Sequence, residues 1–249
     1  AAFGNGTVYM EKFVVEPRHV EVQIMADKYG NALHFYERDC SIQRRHQKMI
    51  EESPCPILDK RTRQELADAA LRIIKEANYD NAATVEFILD KDKGYYFIEA
   101  NTRIQVEHPV TEVVTGHDLI KWQLKIAAGE RLDLSQRSIK HNGVAIECRI
   151  NAEDPERDFA PCPGTITRYI PPGGPGVRVD THVHQGWTVS PSYDSMIAKV
   201  IMHQRTRADA IDTMKRALRE FVIEPIKTTI PACLDILSHN LFVKSKIDT

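Results

Sequence analysis

Two runs of β-branched and aromatic residues, Val85-Glu86-Phe87-Ile88-Leu89 and Tyr95-Tyr96-Phe97-Ile98-Glu99, flank Asp90-Lys91-Asp92-Lys93-Gly94, the pattern of two strands and a tight turn. A turn centred on Asp92 and Lys93 sets Glu86 opposite Glu99, Phe87 opposite Ile98 and Ile88 opposite Phe97. Val85, Phe87, Leu89, Tyr96, Ile98 and Ala100 then form one apolar face whose burial pins the register. A second hairpin is predicted from Val20–Met25 and Ala32–Tyr36, joined by Asp27-Lys28-Tyr29-Gly30-Asn31. Leu66, Ala70, Ile73, Ile74 and Ala77 recur at helical spacing behind an Asp59 cap, and a shorter helix fits Asp118 to Ala128, closing at Gly129.

The polar stretch Gly129 to Asn142 is the candidate boundary between two halves. Beyond it come strand-like segments at Val144–Ile150, Gly164–Ile170 and Met196–Met202, with a turn-rich Pro171–Gly176 between the last two. Thr206-Arg207-Ala208-Asp209 reads as a capping box for a helix carrying Ile211, Met214, Leu218 and Phe221, and a last helix starts near Pro231. Runs of strands mixed with helices, without a repeating βαβ unit, predict an α+β architecture.

At 249 residues and 42% hydrophobic, the chain can bury a large core. A net charge of -2 sets up no field that would attract nucleic acid or an anionic membrane. Five cysteines without a C-x-x-C pair point to reduced thiols rather than disulfides or zinc. No apolar run is long enough to span a bilayer, and Ala1-Ala2-Phe3-Gly4-Asn5-Gly6 lacks the features of a signal peptide. The missing initiator Met suggests a chain that begins inside a larger protein.

The facing Glu86 and Glu99 carry the chemical signal. Like charges across a ladder destabilise it, so the pair must hold a proton or a cation. The strand period brings Asn101 to the same side, completing an oxygen set of the kind Mg²⁺ or Mn²⁺ accepts. The same pattern also fits a solvated hairpin whose glutamates face water. Extending the period aligns Arg103, Gln105 and Glu107, up to a bend before Pro109. Gln43-Arg44-Arg45-His46-Gln47-Lys48 could grip phosphates, or be a solvated surface run. A nucleic-acid role for it lacks a basic helix or interleaved aromatics. Arg149, at the end of an apolar strand in Glu147–Asp154, could meet a developing oxyanion or form a structural ion pair. Tyr9-Met10-Glu11-Lys12-Phe13 could present Lys12 to a ligand. Neither common Gly-rich nucleotide fingerprint is present. Cys40 and His46 lack the third group a thiol-imidazole site needs.

Four ordered segments together resemble biotin carboxylase: Arg38–Lys48; Glu99-x-Asn101-Thr102-Arg103-Ile104-Gln105-Val106-Glu107-His108-Pro109-Val110-Thr111-Glu112; Glu147–Asp154; and Tyr193-Asp194-Ser195-Met196. The resemblance spans the chain. It implies the C-terminal part of an ATP-grasp fold over 1–133, antiparallel sheets with flanking helices, then a biotin carboxylase C-terminal domain over 141–249. It also implies ATP, two Mg²⁺ or Mn²⁺ ions held by Glu86, Glu99 and Asn101, and bicarbonate and biotin as substrates. Glu11 and Lys12 would lie by the adenine and α-phosphate, and His19, Gln43 and His46 would line the nucleotide site. Lys48, Arg103, Gln105 and the Val106 backbone would surround bicarbonate. Glu107 would be the base and Arg149 would hold the enolate-like oxygen of biotin.

The match is nearer the acetyl-CoA carboxylase subunit of fatty acid biosynthesis than the pyruvate or propionyl-CoA relatives. Implied partners are a biotin carboxyl carrier protein, carboxyltransferase subunits and a second copy of the full-length chain, in the cytoplasm, plastid stroma or mitochondrial matrix, without nucleic acid or membrane. Family members carry an N-terminal domain and most of a Gly-rich lid ahead of Tyr9-Met10-Glu11-Lys12. The 249-residue chain alone is therefore expected to bind ATP weakly and turn over little, the alternative being a non-catalytic truncated scaffold that pairs with itself or a carrier protein.

Overall fold

In the computed structural model, which describes residues 4, 6–8, 10–92 and 94–249, a single eight-stranded antiparallel sheet organises the chain. Tyr9, proposed to begin a strand end, Lys93, proposed as a turn centre, and Ala1 to Phe3 and Asn5 of the N-terminal stretch lie outside the described residues. The strands are β1 (Arg18–Ala26), β2 (Ala32–Arg44), β3 (Gln47–Ser53), β4 (Asn81–Leu89), β5 (Tyr95–Asn101), β6 (Val144–Asn151), β7 (Val177–Thr181) and β8 (Met196–Gln204). Their order is β7-β8-β6-β3-β2-β1-β4-β5, so the sheet runs unbroken from the first half into the second through β3 and β6. Among the described residues the helices are α1 (Lys60–Glu76), α2 (His108–Thr115), α3 (Leu119–Ala127), α4 (Arg207–Glu220), α5 (Ile230–Ser238) and the short α6 (Asn240–Val243), with a 3-10 turn at Pro155–Arg157.

Alternation decides which face each helix covers. Even-numbered Val20, Val22 and Ile24 of β1, with Val85, Phe87 and Leu89 of β4, pack against Leu66, Ala70 and Ile74 of α1. That helix starts where Asp59 accepts a hydrogen bond from Thr62 N at 2.8 Å, as the cap pattern predicts. On β6, Ile146, Cys148 and Ile150 join Met214, Ala217 and Leu218 of α4 in the largest core cluster, while Ala145 faces Val110 and Val114 of α2. Thr206 caps α4 by accepting from Asp209 N at 3.1 Å. All five cysteines are free thiols, and no described helix is long and apolar enough to cross a membrane.

Three expectations need correction. The β4–β5 register holds at Glu86↔Glu99, but toward the turn Phe87 pairs with Phe97 and Ile88 with Tyr96, leaving Ile98 as a bulge. Asp90 is the cause: its carboxylate accepts from Asp92 N and Gly94 N, and this Asx turn resets the pairing by one residue. The apolar face is buried only on β4, because β5 is the sheet edge and leaves Phe97 53% and Ile98 41% exposed. Finally, Gly164–Ile170 is broken into Gly164–Thr165 and Arg168–Ile170, each pairing in its own two-stranded sheet. The polar stretch after Gly129 is pinned rather than loose. Leu132 and Ile139 are buried, and the Gln136 amide both donates to His34 O at 2.9 Å and accepts from His34 N at 3.0 Å, as a neighbouring strand would.

Candidate functional site

Register lays a transverse row of charges across the sheet, Arg38 (β2), Glu21 (β1), Glu86 (β4) and Glu99 (β5), each opposite the next. One pleat along, Gln23, Thr84 and Asn101 form a parallel polar row. Arg38, Glu21, Gln23 and Thr84 are buried, whereas Glu86, Glu99 and Asn101 at the β4–β5 end of the rows line an open cleft of about 840 Å³.

Arg38 has no exposed surface, and all its described hydrogen bonds go to the rows or to the segment that follows β5. It donates to Glu21 (2.5 Å), Gln23 (2.8 Å), Thr111 (3.0 Å), Thr84 (3.2 Å) and Gln105 (3.1 Å), which uses the five-donor fork of a guanidinium in full. Glu21 is pushed up by burial, yet the charges of Arg38 and then Lys48 outweigh this and leave its pKa at about 2.

Lys48 is the hub of the acidic cluster. Its ammonium donates to Glu21 at 2.5 Å, Glu107 at 2.7 Å and Glu86 at 3.0 Å, one carboxylate for each of its three protons. Burial disfavours its charge, but the surrounding carboxylates more than compensate and raise its pKa. A bulge at Met49, where Ile42 pairs with Ile50 and Gln43 with Lys48, brings Lys48 to the same side of the sheet as the buried Glu51 further along β3. Glu107 is held from two sides, one oxygen by Lys48 and the other by Arg149 at 3.0 Å. Arg149 also donates through Nε to Glu51 at 2.6 Å. Lys199 of β8 donates to the Val106 carbonyl at 2.9 Å.

Glu86 and Glu99 do share one space: Asn101 Nδ2 donates to an oxygen of each at 2.9 Å. Glu86 also accepts from Gln105 at 2.7 Å and lies 2.5 Å from His19 Nε2. Burial pushes Glu86 up, but the His19 contact and the Lys48 charge bring its pKa to about 2. The repulsion that sequence reasoning assigned to a dication is thus already relieved by Lys48, His19 and two amides. The residue types still suit a hard ion, two carboxylates and an amide at the mouth of the cleft with Glu99 exposed, although Asn101 turns its Nδ2 toward the carboxylates while its Oδ1 accepts from Arg103 at 3.2 Å, so the amide must rotate to offer its oxygen.

The cleft is lined by His19, Gln43, His46, Lys48, Glu86, Glu99, Asn101, Arg103, Gln105, Val106, Glu107 and Arg149, with Asn151, His182, Asp194 and Met196 on the far wall. Glu11 and Lys12 are exposed and outside this lining, where Lys12 donates to Tyr96 Oη at 2.5 Å and sits 4.5 Å from that ring's centre. The basic run divides. Arg45 and His46, both at positive φ, form the two-residue turn of the β2–β3 hairpin, Gln43 and Lys48 face the cleft, and Arg44 and Arg45 pair outward with Asp158. Residues 102–107 leave the strand, so Gln105 and Glu107 reach the cleft from a loop closed by α2 rather than by strand period. Glu21, Arg38, Glu51 and Lys199 were missed; a charge inside an otherwise strand-like run is the signal that could have found Glu21 and Arg38.

Residues 1–135 match the carbamoyl-phosphate synthase L chain ATP binding domain, and residues 147–249 match the biotin carboxylase C-terminal domain. Biotin carboxylase 1 of Bacillus subtilis is 57% identical over 249 residues, covering 100% of this chain and 55% of that one. A Campylobacter jejuni biotin carboxylase structure described as a β,γ-ATP complex superposes with TM-score 0.95 at 50% identity, covering 100% of this chain and 55% of that one. The biotin carboxylase domain dimer of Hydrogenobacter thermophilus 2-oxoglutarate carboxylase, solved with MgADP, ADP and bicarbonate, gives TM-score 0.94 at 49% identity over 96% of this chain and 53% of that one. The chain thus spans about half the length of the relatives it matches.

Proposed function

Since the chain belongs to the biotin carboxylase family, an ATP-grasp-type domain followed by a biotin carboxylase C-terminal domain, we propose that its cleft serves the ATP-dependent carboxylation of biotin on a carrier protein. The observation that carries this reading is Glu107 clasped between Lys48 and Arg149, beside the Glu86–Asn101–Glu99 oxygen set.

In this reading Glu107 takes the proton of bicarbonate, whose oxygen attacks the γ-phosphorus of ATP to give carboxyphosphate and ADP. Lys48 and Arg103 steer the anion, with Gln105 fixed between Arg38 and Glu86 so that its loop keeps its place. Carboxyphosphate then loses CO₂, the released phosphate accepts the biotin N1 proton, and N1 bonds to the carbon of CO₂. Arg149 meets the enolate-like oxygen that develops on the ureido ring. Glu86, Glu99 and Asn101 would hold Mg²⁺ or Mn²⁺, which when bound spreads phosphoryl charge. His19, Gln43 and His46 line the nucleotide side, and Glu11 and Lys12 reach it only if the segment before β1 folds over the cleft.

The domain limits proposed are 1–133 and 141–249. The pathway proposed is acetyl-CoA carboxylase and fatty acid biosynthesis, with a biotin carboxyl carrier protein, carboxyltransferase subunits and a homodimer as partners in the cytoplasm. Similarity at 50% identity to the biotin carboxylase subunit of a pyruvate carboxylase keeps a pyruvate or propionyl-CoA type carboxylase as the second reading. The test is calorimetric titration with MgADP of the native chain and of a Glu86→Gln, Glu99→Gln variant, alongside biotin-stimulated ADP release by the enzyme of the relatives' full length that carries this chain. Metal-dependent heat that the variant loses supports the reading. Equal heats in both, or ADP release indifferent to biotin, overturn it.

A further inference from the structure

Behind Arg149 lies a pair of carboxyls that the proposed reaction does not use. Glu51 of β3 and Glu147 of β6 face one another across the ladder, and neither has exposed surface. Glu51 accepts from Arg149 Nε through one oxygen, while its other oxygen and both oxygens of Glu147 have no hydrogen-bond partner. The charges around the pair are Arg149 on β6, Lys48 on β3, Lys199 on β8 and Glu107 from the loop before α2. Two buried carboxylates side by side cannot both ionise when one guanidinium contacts only one of them. The one bonded to Arg149 keeps the charge, and the orphan keeps a proton.

We propose that Glu51 is a positioning residue for Arg149, gripping its Nε edge so that the NH2 end is held at Glu107 in the cleft, with Glu147 packed behind as a neutral acid. This rests on the reading of Arg149 as the group that meets the oxyanion. Glu107 and Glu51 share the guanidinium, so either can fix it in the cleft only while the other does. Burial pushes Glu51 up to about 7 against the pull of Arg149, and burial with the Glu51 charge pushes Glu147 well above the usual carboxylate range. The charged grip is therefore half formed near pH 7, complete a unit or more above it and weakened as Glu51 takes up a proton below it.

The experiment compares ADP release with and without free biotin in the native enzyme, Glu51→Gln, Arg149→Gln and the double variant, across pH. Glu51→Gln is expected to lose biotin-stimulated release on the order of 10²-fold, the cost of misplacing a group in the site. It should lower the biotin-independent, bicarbonate-dependent rate far less, because Lys48 still holds Glu107, lose the acid limb near pH 7 and add nothing to Arg149→Gln. Equal loss of both rates, or full additivity with Arg149→Gln, overturns the proposal while leaving the functional reading intact. No biotin stimulation in the native enzyme overturns both. Should Glu51→Gln fail to fold, Glu51→Asp must retain the acid limb with a weakened rate, and an unchanged rate counts against the grip. Independently, the infrared band of a protonated carboxyl that persists about two pH units above 7, where Glu51 is ionised, should vanish in Glu147→Gln, and a native spectrum without it removes the neutral partner.

Discussion

Replacing Arg38 with Lys keeps the charge and removes the fork, which isolates what geometry contributes to this sheet. The guanidinium makes five hydrogen bonds to four different segments, and an ammonium has three protons. At least two bonds to a charged donor are lost from a site with no exposed surface, at about 1.5–3 kcal/mol each, so Arg38→Lys should cost on the order of 3–6 kcal/mol. For a chain of this length each kcal/mol lowers the melting temperature by about 2–4 °C, which predicts a drop of roughly 6–24 °C. The pH dependence adds a second signature. Glu21, whose folded pKa of about 2 depends most on Arg38, contributes stability that is present above its unfolded value near 4.5 and lost as pH falls through 2. In Arg38→Met that contribution is weakened, so the gap between native and variant should narrow as pH falls from about 5 toward 2. Thermal unfolding followed by circular dichroism across that range is the assay. A melting point for Arg38→Lys within about 2 °C of native would show that the fork is dispensable and that the site is not assembled through it.

Glu147→Gln should be neutral near pH 4 and stabilising at higher pH. The native carboxyl stays protonated while the unfolded one ionises above 4.5, so native stability falls with rising pH by about 1.4 kcal/mol per unit, and the amide removes that slope. Chemical denaturation at several pH values reads it directly, and parallel native and variant curves would contradict a neutral Glu147. Arg207→Met should cost about 3–5 kcal/mol by stranding Glu52, which is 2% exposed and bound to Arg207 through both oxygens; Glu52→Gln in the same chain should recover part of the loss. Asp59→Ala should cost about 1 kcal/mol through the lost α1 cap, with no change in MgADP heat, and a larger effect on binding than on stability would refute the purely local role.

What the sequence made legible was what burial enforces. Glu86 faces Glu99 because Val85, Phe87 and Leu89 must point at α1, and that constraint holds whatever happens at the turn. The error at Phe87 and Ile88 came from Asp90, whose local hydrogen bonds outrank the symmetric closure assumed between Asp92 and Lys93. β3 was unreadable for a different reason. Gln47-Lys48-Met49-Ile50-Glu51-Glu52-Ser53 puts three charges in a central strand, and charged side chains count as surface unless their partners are known. Those partners, Glu21, Glu86 and Glu107 for Lys48, Arg149 for Glu51 and Arg207 for Glu52, come from 27 to 155 residues away.

The same long-range pairing explains how an acidic cleft can accommodate an anion. Bare carboxylates at Glu21, Glu86, Glu107 and Glu51 would repel phosphate and bicarbonate alike. The structure matches them with Arg38, Lys48 and Arg149, and each cation touches at least one carboxylate while two of the three touch more than one. A cation shared in this way is held in place without being fully neutralised by any single partner, so an arriving anion meets a positive group that needs little reorganisation. Arg38 and Lys48 divide that work. Arg38 is wholly buried and serves the framework, whereas Lys48 keeps 12% of its side chain at the cleft surface and can exchange a carboxylate for a ligand oxygen. A lysine, with a flexible stem and a point charge, suits the exchange, and the rigid fork suits the framework.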